Sequence, residues 1–262
     1  MLIGVRYDEF DVGNGVGTLD KQDELSPQVA VNYKVAENSS LFASYSEAFE
    51  PNIAVNELVG ATVPFEPEES EQLEIGIKAE FFNGKLQTTA AIYDIQRTNV
   101  LTVENGLPVL IDGQESQGLE LTVVGQPIAG LNIVAGYAYT DAEINETDFV
   151  PRNVAENTFN LWTSYEWQSG SLEGLGIGSG LFYIDDRFGD NNQDLVLDSY
   201  TLVDASIWYT LAVGDGDSGK TVRFQLSAKN ITDEEYFSAS GGDLRISIGT
   251  PRSVFGSVSF DF

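Results

Sequence analysis

The chain holds no cysteine and no histidine, one methionine, and only 13 basic side chains against 41 acidic ones in 262 residues. Each shortage removes chemistry. Without cysteine there is no disulfide, thiolate zinc site, iron–sulfur cluster or cysteine nucleophile. Without histidine, the Ser-His-Asp triad, histidine-held metal ions and axial histidine ligation of haem are excluded. A formal net charge of -28 leaves little to attract nucleic-acid phosphate. No run approaches the roughly 18 consecutive apolar residues of a transmembrane helix. Met1-Leu2-Ile3-Gly4-Val5-Arg6-Tyr7-Asp8 has no basic stretch followed by an apolar core. It reads as a strand already under way, not as a signal peptide.

What remains is the composition of a folded β protein. Hydrophobic residues make up 42% and charged ones 21%, too apolar for a charge-expanded chain. The 26 glycines, 15 phenylalanines and 11 tyrosines favour strands joined by many turns. The dominant period is two. Leu73, Ile75, Ile77, Ala79 and Phe81 alternate with Gln72, Glu74, Gly76, Lys78 and Glu80, and Asn83-Gly84 then turns the chain into a second long run. About twelve such runs, each about 9–13 residues long, begin near Leu2, Pro27, Leu41, Gln72, Lys85, Gly118, Leu131, Thr158, Leu175, Thr201, Thr221 and Ser253. Globular strands average about 5–6 residues, whereas strands that span a bilayer need about 9–11.

The connections alternate as well. Short ones fall at Glu37-Asn38-Ser39, Asn83-Gly84, Gly125 to Gly130, Gln168 to Glu173 and Gly214 to Gly219. Longer acidic or Gly/Asn-rich ones fall at Asp11 to Leu25, Glu50 to Glu69, Glu104 to Gly113, Asn145 to Ala155, Arg187 to Asp198 and Thr232 to Arg252. Outer-membrane barrels combine short periplasmic turns with long external loops in this way. The last run places Val254, Val258, Phe260 and Phe262 on one face with Gly256 and ends on Phe262. That ending is similar to the signal by which barrel assembly machinery recognises its clients; an edge strand that ends in phenylalanine reads the same.

Ordered stretches along nearly the whole chain carry a resemblance. They are Gly4-Val5-Arg6-Tyr7-Asp8, Ser40-Leu41-Phe42-Ala43-Ser44-Tyr45-Ser46-Glu47-Ala48-Phe49-Glu50-Pro51, and Pro67-Glu68-Glu69-Ser70-Glu71-Gln72-Leu73-Glu74-Ile75-Gly76-Ile77-Lys78. Then come Ala91-Ile92-Tyr93-Asp94-Ile95, Gly118-Leu119-Glu120-Leu121, Asn153 with Asn160-Leu161-Trp162, Tyr200-Thr201-Leu202-Val203-Asp204, Asn230-Ile231-Thr232-Asp233-Glu234-Glu235-Tyr236 and Gly249-Thr250-Pro251-Arg252. In this order they resemble the C-terminal part of TonB-dependent outer-membrane receptors, within them the ferrichrome-type siderophore receptors. The resemblance implies a barrel of about 22 strands closed by an N-terminal plug and importing ferric siderophores with energy from the TonB complex. Here no TonB box, no plug domain and only about twelve strands are visible. The expectation is a fragment that begins at an internal strand.

Candidate residues follow from the faces. If the apolar faces meet lipid, Lys34, Glu74, Lys78, Glu80, Glu120, Asp204, Arg223 and Lys229 line the lumen, as ligand passage and docking surface or as ion pairs that keep the wall hydrated. Phe49, Phe65, Phe149, Phe188, Tyr236 and Phe237 lie in the long connections and are candidates to touch a ligand. Loop packing and an interfacial aromatic girdle account for the same residues. The oxygen-rich run from Asp185 to Asp194 lacks calcium-loop spacing and reads as an ordinary Asx-rich loop. Gly174, Gly176, Gly178 and Gly180 form a glycine stripe on one strand face, with no following helix of a nucleotide fold. No pair among the many carboxylates stands out as catalytic.

The sequence therefore predicts an all-β chain, residues 1–262 as one antiparallel transmembrane barrel segment in the bacterial outer membrane. It is not expected to be an enzyme or to hold a cofactor or metal. The expected partners are a ferric siderophore, the TonB complex through an N-terminal part missing here, the barrel assembly machinery and membrane lipid, with no nucleic acid. A small structural or passive-pore barrel and a soluble β-rich carbohydrate-binding protein are the competing readings.

Overall fold

A computed structural model of the chain describes residues 1–13, 18–52, 66–104, 107–213, 220–241 and 245–261. The strands in chain order are β1 (Leu2–Gly13), β2 (Thr18–Ala36), β3 (Ser39–Glu50), β4 (Glu68–Phe81), β5 (Leu86–Glu104), β6 (Leu107–Gly125), β7 (Leu131–Ile144), β8 (Asn157–Glu166), β9 (Leu175–Ile184), β10 (Arg187–Phe188), β11 (Val196–Leu197), β12 (Tyr200–Ala212), β13 (Thr221–Lys229), β14 (Phe237–Ser240), β15 (Ile246–Ile248) and β16 (Ser253–Asp261). Twelve of them form one sheet in the order β1-β2-β3-β4-β5-β6-β7-β8-β9-β12-β13-β16; β10–β11 and β14–β15 are separate small hairpins. By packing the chain divides into two units: Met1–Ile77 with Ala91–Leu119 and Thr140–Pro151, and Lys78–Ala90 with Glu120–Tyr139 and Arg152–Phe262.

In the first unit, period-two alternation sets one apolar face. Ile3, Val5 and Tyr7 of β1 lie opposite Val29, Pro27 and Leu25 of β2. Val29, Val31 and Tyr33 in turn oppose Tyr45, Ala43 and Leu41 of β3. Ile3 and Tyr33 are 65% and 67% exposed. Each such side chain would gain about 1.5–3 kcal/mol on leaving water, so a continuous row of them marks a surface that meets lipid. The row stops abruptly: the next pairs along β1 and β2 are Glu9 with Asp23 and Asp11 with Lys21, the last an ion pair of 3.5 Å. Here the structure corrects the sequence reading. The connections expected from Asp11 to Leu25 and from Glu104 to Gly113 are mostly strand, and β2, β5 and β6 each run to 19 residues. At about 3.3 Å per residue this is ~60 Å, against a hydrocarbon core of about 30 Å. The surplus stands in water, where a strand keeps its hydrogen-bond ladder but needs no apolar face. Val100, Ile111 and Ile144 form a small buried cluster within this unit.

The second unit repeats the pattern with tighter registers. Tyr165 of β8 lies opposite Ile177 of β9, which lies opposite Ile207 of β12, followed by Leu226 of β13 and Gly256 of β16. One row along, Tyr209, Phe224 and Val258 align; the next holds Leu211, Val222 and Phe260. Aromatics edge this face at both ends. Tyr137, Phe159 and Tyr183 align towards the long connections, while Tyr165 meets Trp167 edge-on at 5.2 Å beside the short turn that follows β8. Such girdles sit at the two membrane interfaces. The expected turn at Asn83-Gly84 is present, with Phe82, Asn83 and Gly84 all at positive φ. The expected turn at Gly214 to Gly219 and most of the connection from Glu50 to Glu69 lie outside the described residues. So do two of the singled-out residues, Phe65 and Phe262.

Candidate functional site

The long connections of the second unit are tied to one another by buried polar side chains. Arg187, the first residue of β10, is 4% exposed. Its Nη2 donates to the carbonyls of Phe237 (2.8 Å) and Ser238 (3.0 Å), and its guanidinium lies 5.4 Å from the centre of the Tyr200 ring. Its Nη1 is buried and makes no hydrogen bond to the described residues. Asn153 holds the same β14 segment from another connection: its Nδ2 donates to Ser240 O (2.8 Å), its Oδ1 accepts from Ser240 N (2.7 Å), and its own N donates to Phe188 O (2.7 Å). Tyr236 packs on Tyr200 at 4.3 Å between ring centres. Asn230 is 3% exposed and closes the turn after β13: its N donates to Asp204 Oδ1, its Nδ2 to the carbonyls of Glu234 and Thr250, and its Oδ1 accepts from Glu234 N. Asp190 accepts from the backbone N–H groups of Asn192, Asp194 and Leu195. Its oxygens therefore shape the loop they belong to, as the Asx-rich reading expects.

Asp185 follows the last residue of β9 and accepts from Asn157 Nδ2 and Tyr183 Oη, both at 2.9 Å. These two bonds, Asn157 first, hold its carboxyl below the usual carboxylate range. A depressed folded pKa gives a contribution that is full above the unfolded pKa and is lost as pH falls through the folded one. Acidification below about pH 4 should therefore loosen this junction between β8 and β9. Midpoints of heat-modified gel migration across pH 5 to 3 check this. The acid slope should flatten in Asp185→Asn, and an unchanged slope would refute the assignment.

A second group of side chains lies on the polar face near the short turns. Trp208 Nε1 donates to Glu166 Oε2 (2.5 Å), Arg223 Nη2 donates to the same oxygen (3.0 Å), and the Arg223 guanidinium sits 4.7 Å from the Trp208 ring centre. The register sets Trp208 opposite Gly176 and Trp162 opposite Gly180. The two indoles thus lean across β9 from either side. A Cβ at Gly176 would fall inside the Trp208 ring, and one at Gly178 or Gly180 would lie 2.8 Å from Trp162 ring atoms. The glycine stripe is their floor.

The singled-out residues separate accordingly. Phe237 accepts from Arg187 through its carbonyl, Tyr236 packs on the Tyr200 ring that Arg187 faces, and Phe188, next to Arg187 in β10, is tied through its carbonyl to Asn153 N. Phe49 belongs to the first unit, stacked on Phe10 at 5.5 Å with Arg6 over its ring, and Phe149 there bridges Ile144 through its backbone. On the polar faces, Glu74, Lys78 and Glu80 alternate with exposed Leu73 and Ile75 along β4, and Lys34 with exposed Tyr33 along β2. Asp204 holds Asn230, Lys229 lies opposite Ser253, and Arg223 pairs with Glu166. Glu120 lies in β6. Arg187, Asn153, Tyr200, Glu166, Trp162 and Trp208 escaped the sequence reading as site residues. For the two tryptophans a signal existed, a glycine stripe flanked by strands each carrying one indole.

Long strands, an exposed apolar band edged by aromatics and an opposite polar face define the wall of an outer-membrane β-barrel. More narrowly, the chain belongs to the TonB-dependent receptor family: the family model described as "TonB dependent receptor-like, beta-barrel" matches residues 1–231. It is 33% identical to the ferrioxamine B receptor of Salmonella typhimurium over 99% of this chain and 38% of that protein. It is 31% identical to the ferrichrome outer membrane transporter/phage receptor of Escherichia coli K12 over 100% of this chain and 36% of that protein. The chain thus spans less than two fifths of these relatives. The solved siderophore receptor PiuA of Acinetobacter baumannii superimposes with a TM-score of 0.78 at 24% identity, covering 98% of this chain and 40% of that one, which establishes the shared fold. The family is one of bacterial outer-membrane barrels, and the outer membrane is where this chain belongs.

Proposed function

We propose that this chain is part of the wall of a receptor that takes up a ferric siderophore across the outer membrane, with energy supplied by the TonB complex. The observation that carries this reading is identity spread along the whole chain to receptors named for ferrioxamine B and ferrichrome. The ferrichrome-type receptors are the subclass proposed. In this reading Phe188, Tyr236 and Phe237, with Phe49, Phe65 and Phe149, belong to the external surface that first meets the chelate. Lys34, Glu74, Lys78, Glu80, Glu120, Asp204, Arg223 and Lys229 line the passage. Val254, Val258, Phe260 and Phe262 present the strand by which assembly machinery inserts the wall into lipid. The reading makes the protein a transporter and not an enzyme.

Uptake of radiolabelled iron by cells that lack their own siderophore receptors and produce the whole receptor whose wall includes this chain tests the reading. Ferrioxamine B or ferrichrome should deliver iron when the TonB complex is intact, and uptake should fall to background when it is removed. Iron entry that persists without the TonB complex would support a passive pore instead. No uptake of any ferric siderophore would overturn the proposal.

A further inference from the structure

The polar face of the second unit is not filled evenly. A cavity of about 350 Å3 opens between β7, β8, β12 and β13, lined by Asn132, Trp162, Glu166, Trp208, Arg223 and Gln225 among others. Two of the chain's three tryptophans stand in it. Their rings are fixed, because they lie over glycines and Trp208 is held by Glu166 and capped by Arg223. Glycines inside a strand weaken it. Three in alternate positions, serving only to let two rings lie flat, leave a depression where ordinary side chains would have filled the wall.

The chemistry of the depression is specific. Glu166 and Arg223 neutralise each other at 3.0 Å, so the lining carries no net charge of its own. Around that pair stand amide side chains with both donors and acceptors, and the indoles offer flat apolar surface. The Arg223 Nε–H is buried and makes no hydrogen bond to the described residues, and a buried donor without an acceptor costs about 1–3 kcal/mol. A neutral ligand rich in carbonyl oxygens and with exposed methylene groups matches each of these features. Its carbonyls accept from Arg223 and the amides, and its methylenes lie on the indoles.

We infer that this depression is a second holding site for the ferric chelate, on the short-turn half of the wall and separate from the external loops. The inference rests on the uptake reading above. Chelate released from the loops is held here before it leaves the wall. The site takes neutral chelates and disfavours strongly charged ones, because any net charge on the ligand would meet a pair that has already cancelled itself.

The test uses the protein purified in detergent, carrying Trp167→Phe so that only Trp162 and Trp208 emit. The probe is the gallium complex of iron-free ferrichrome, a neutral trihydroxamate chelate, since gallium avoids ferric absorption that would quench the indoles. Saturable change in indole emission is expected, with two complexes bound per chain by equilibrium dialysis of radiogallium. Trp208→Leu and Arg223→Gln should each weaken the emission-reporting site by about tenfold, the size of one well-placed aromatic or polar contact. Gln225→Ala, which leaves the ion pair and both rings in place, should weaken it less. Binding of one complex per chain, with no emission change in any form, would overturn the second site and leave the uptake reading standing. No binding at all would also overturn the second site, and the uptake assay then decides the uptake reading by itself.

Discussion

Gly176→Val should abolish assembly, seen as loss of the heat-modified band in detergent gels and of protease-resistant protein in the outer membrane. A Cβ at this position would fall inside the Trp208 indole. The indole cannot slide aside without breaking its hydrogen bond to Glu166 and its contact with Arg223. Overpacking of this kind costs about 1–3 kcal/mol where neighbours can adjust, and losing the packing of a buried tryptophan about 3–5 kcal/mol more. Trp208 is 8% exposed, so the larger figure applies. Against a typical folding stability of about 5–15 kcal/mol the sum is enough to unfold a marginal wall. The effect should grade with distance. Gly178→Ala and Gly180→Ala, at 2.8 Å from Trp162, should weaken the wall without abolishing it, while Gly4→Val, with nothing within 4 Å, should assemble normally. Trp208→Ala should restore part of the assembly lost in Gly176→Val by vacating the same space. Normal assembly of Gly176→Val would refute the packing argument.

That glycine stripe also marks the boundary of what the sequence could disclose. The alternation of Gly176, Gly178 and Gly180 was visible as a pattern, and so were the runs holding Trp162 and Trp208. Their connection was not, because it depends on which residue of β9 each tryptophan faces, and register is a property of paired strands. The same limit hid the loop ties. Asn153 and Ser240 lie 87 positions apart and bond reciprocally; no local spacing announces that. Strand number and faces, by contrast, were legible because lipid imposes an apolar row on every second residue. Where strands rise above the bilayer the imposition ends, so the acidic stretches around Asp11 to Leu25 read as loop although most of them are strand. Hairpins as short as β10–β11 and β14–β15 offer too few residues for any period to register.

Arg187→Met should release the connection between β13 and β16 while leaving the membrane band intact. A buried guanidinium is costly unless its surroundings answer it, and among the described residues no carboxylate pairs with Arg187. What answers it are the carbonyls of Phe237 and Ser238 and the face of Tyr200. Hydrogen bonds from a charged donor are worth about 1.5–3 kcal/mol each. Loss of both should raise the population of the opened connection by at least about a hundredfold, and proteolysis between Asn230 and Arg252 by the same factor where reclosing outpaces cleavage. Methionine keeps most of the apolar stem, so the change isolates the polar ties. Arg187→Lys retains charge and donors but not the flat face on Tyr200, and should fall between the two. The heat-modified band should persist in both variants, because no residue of the lipid-facing rows is touched. Wild-type cleavage rates in Arg187→Met would mean that the Asn153–Ser240 bonds alone hold β14. In that case Asn153→Ala, which removes both of those bonds, should show the hundredfold rise instead. If the external aromatics first meet the chelate, the variant that opens the connection should also bind it more weakly, since Tyr236 and Phe237 hang on the segment that Arg187 secures.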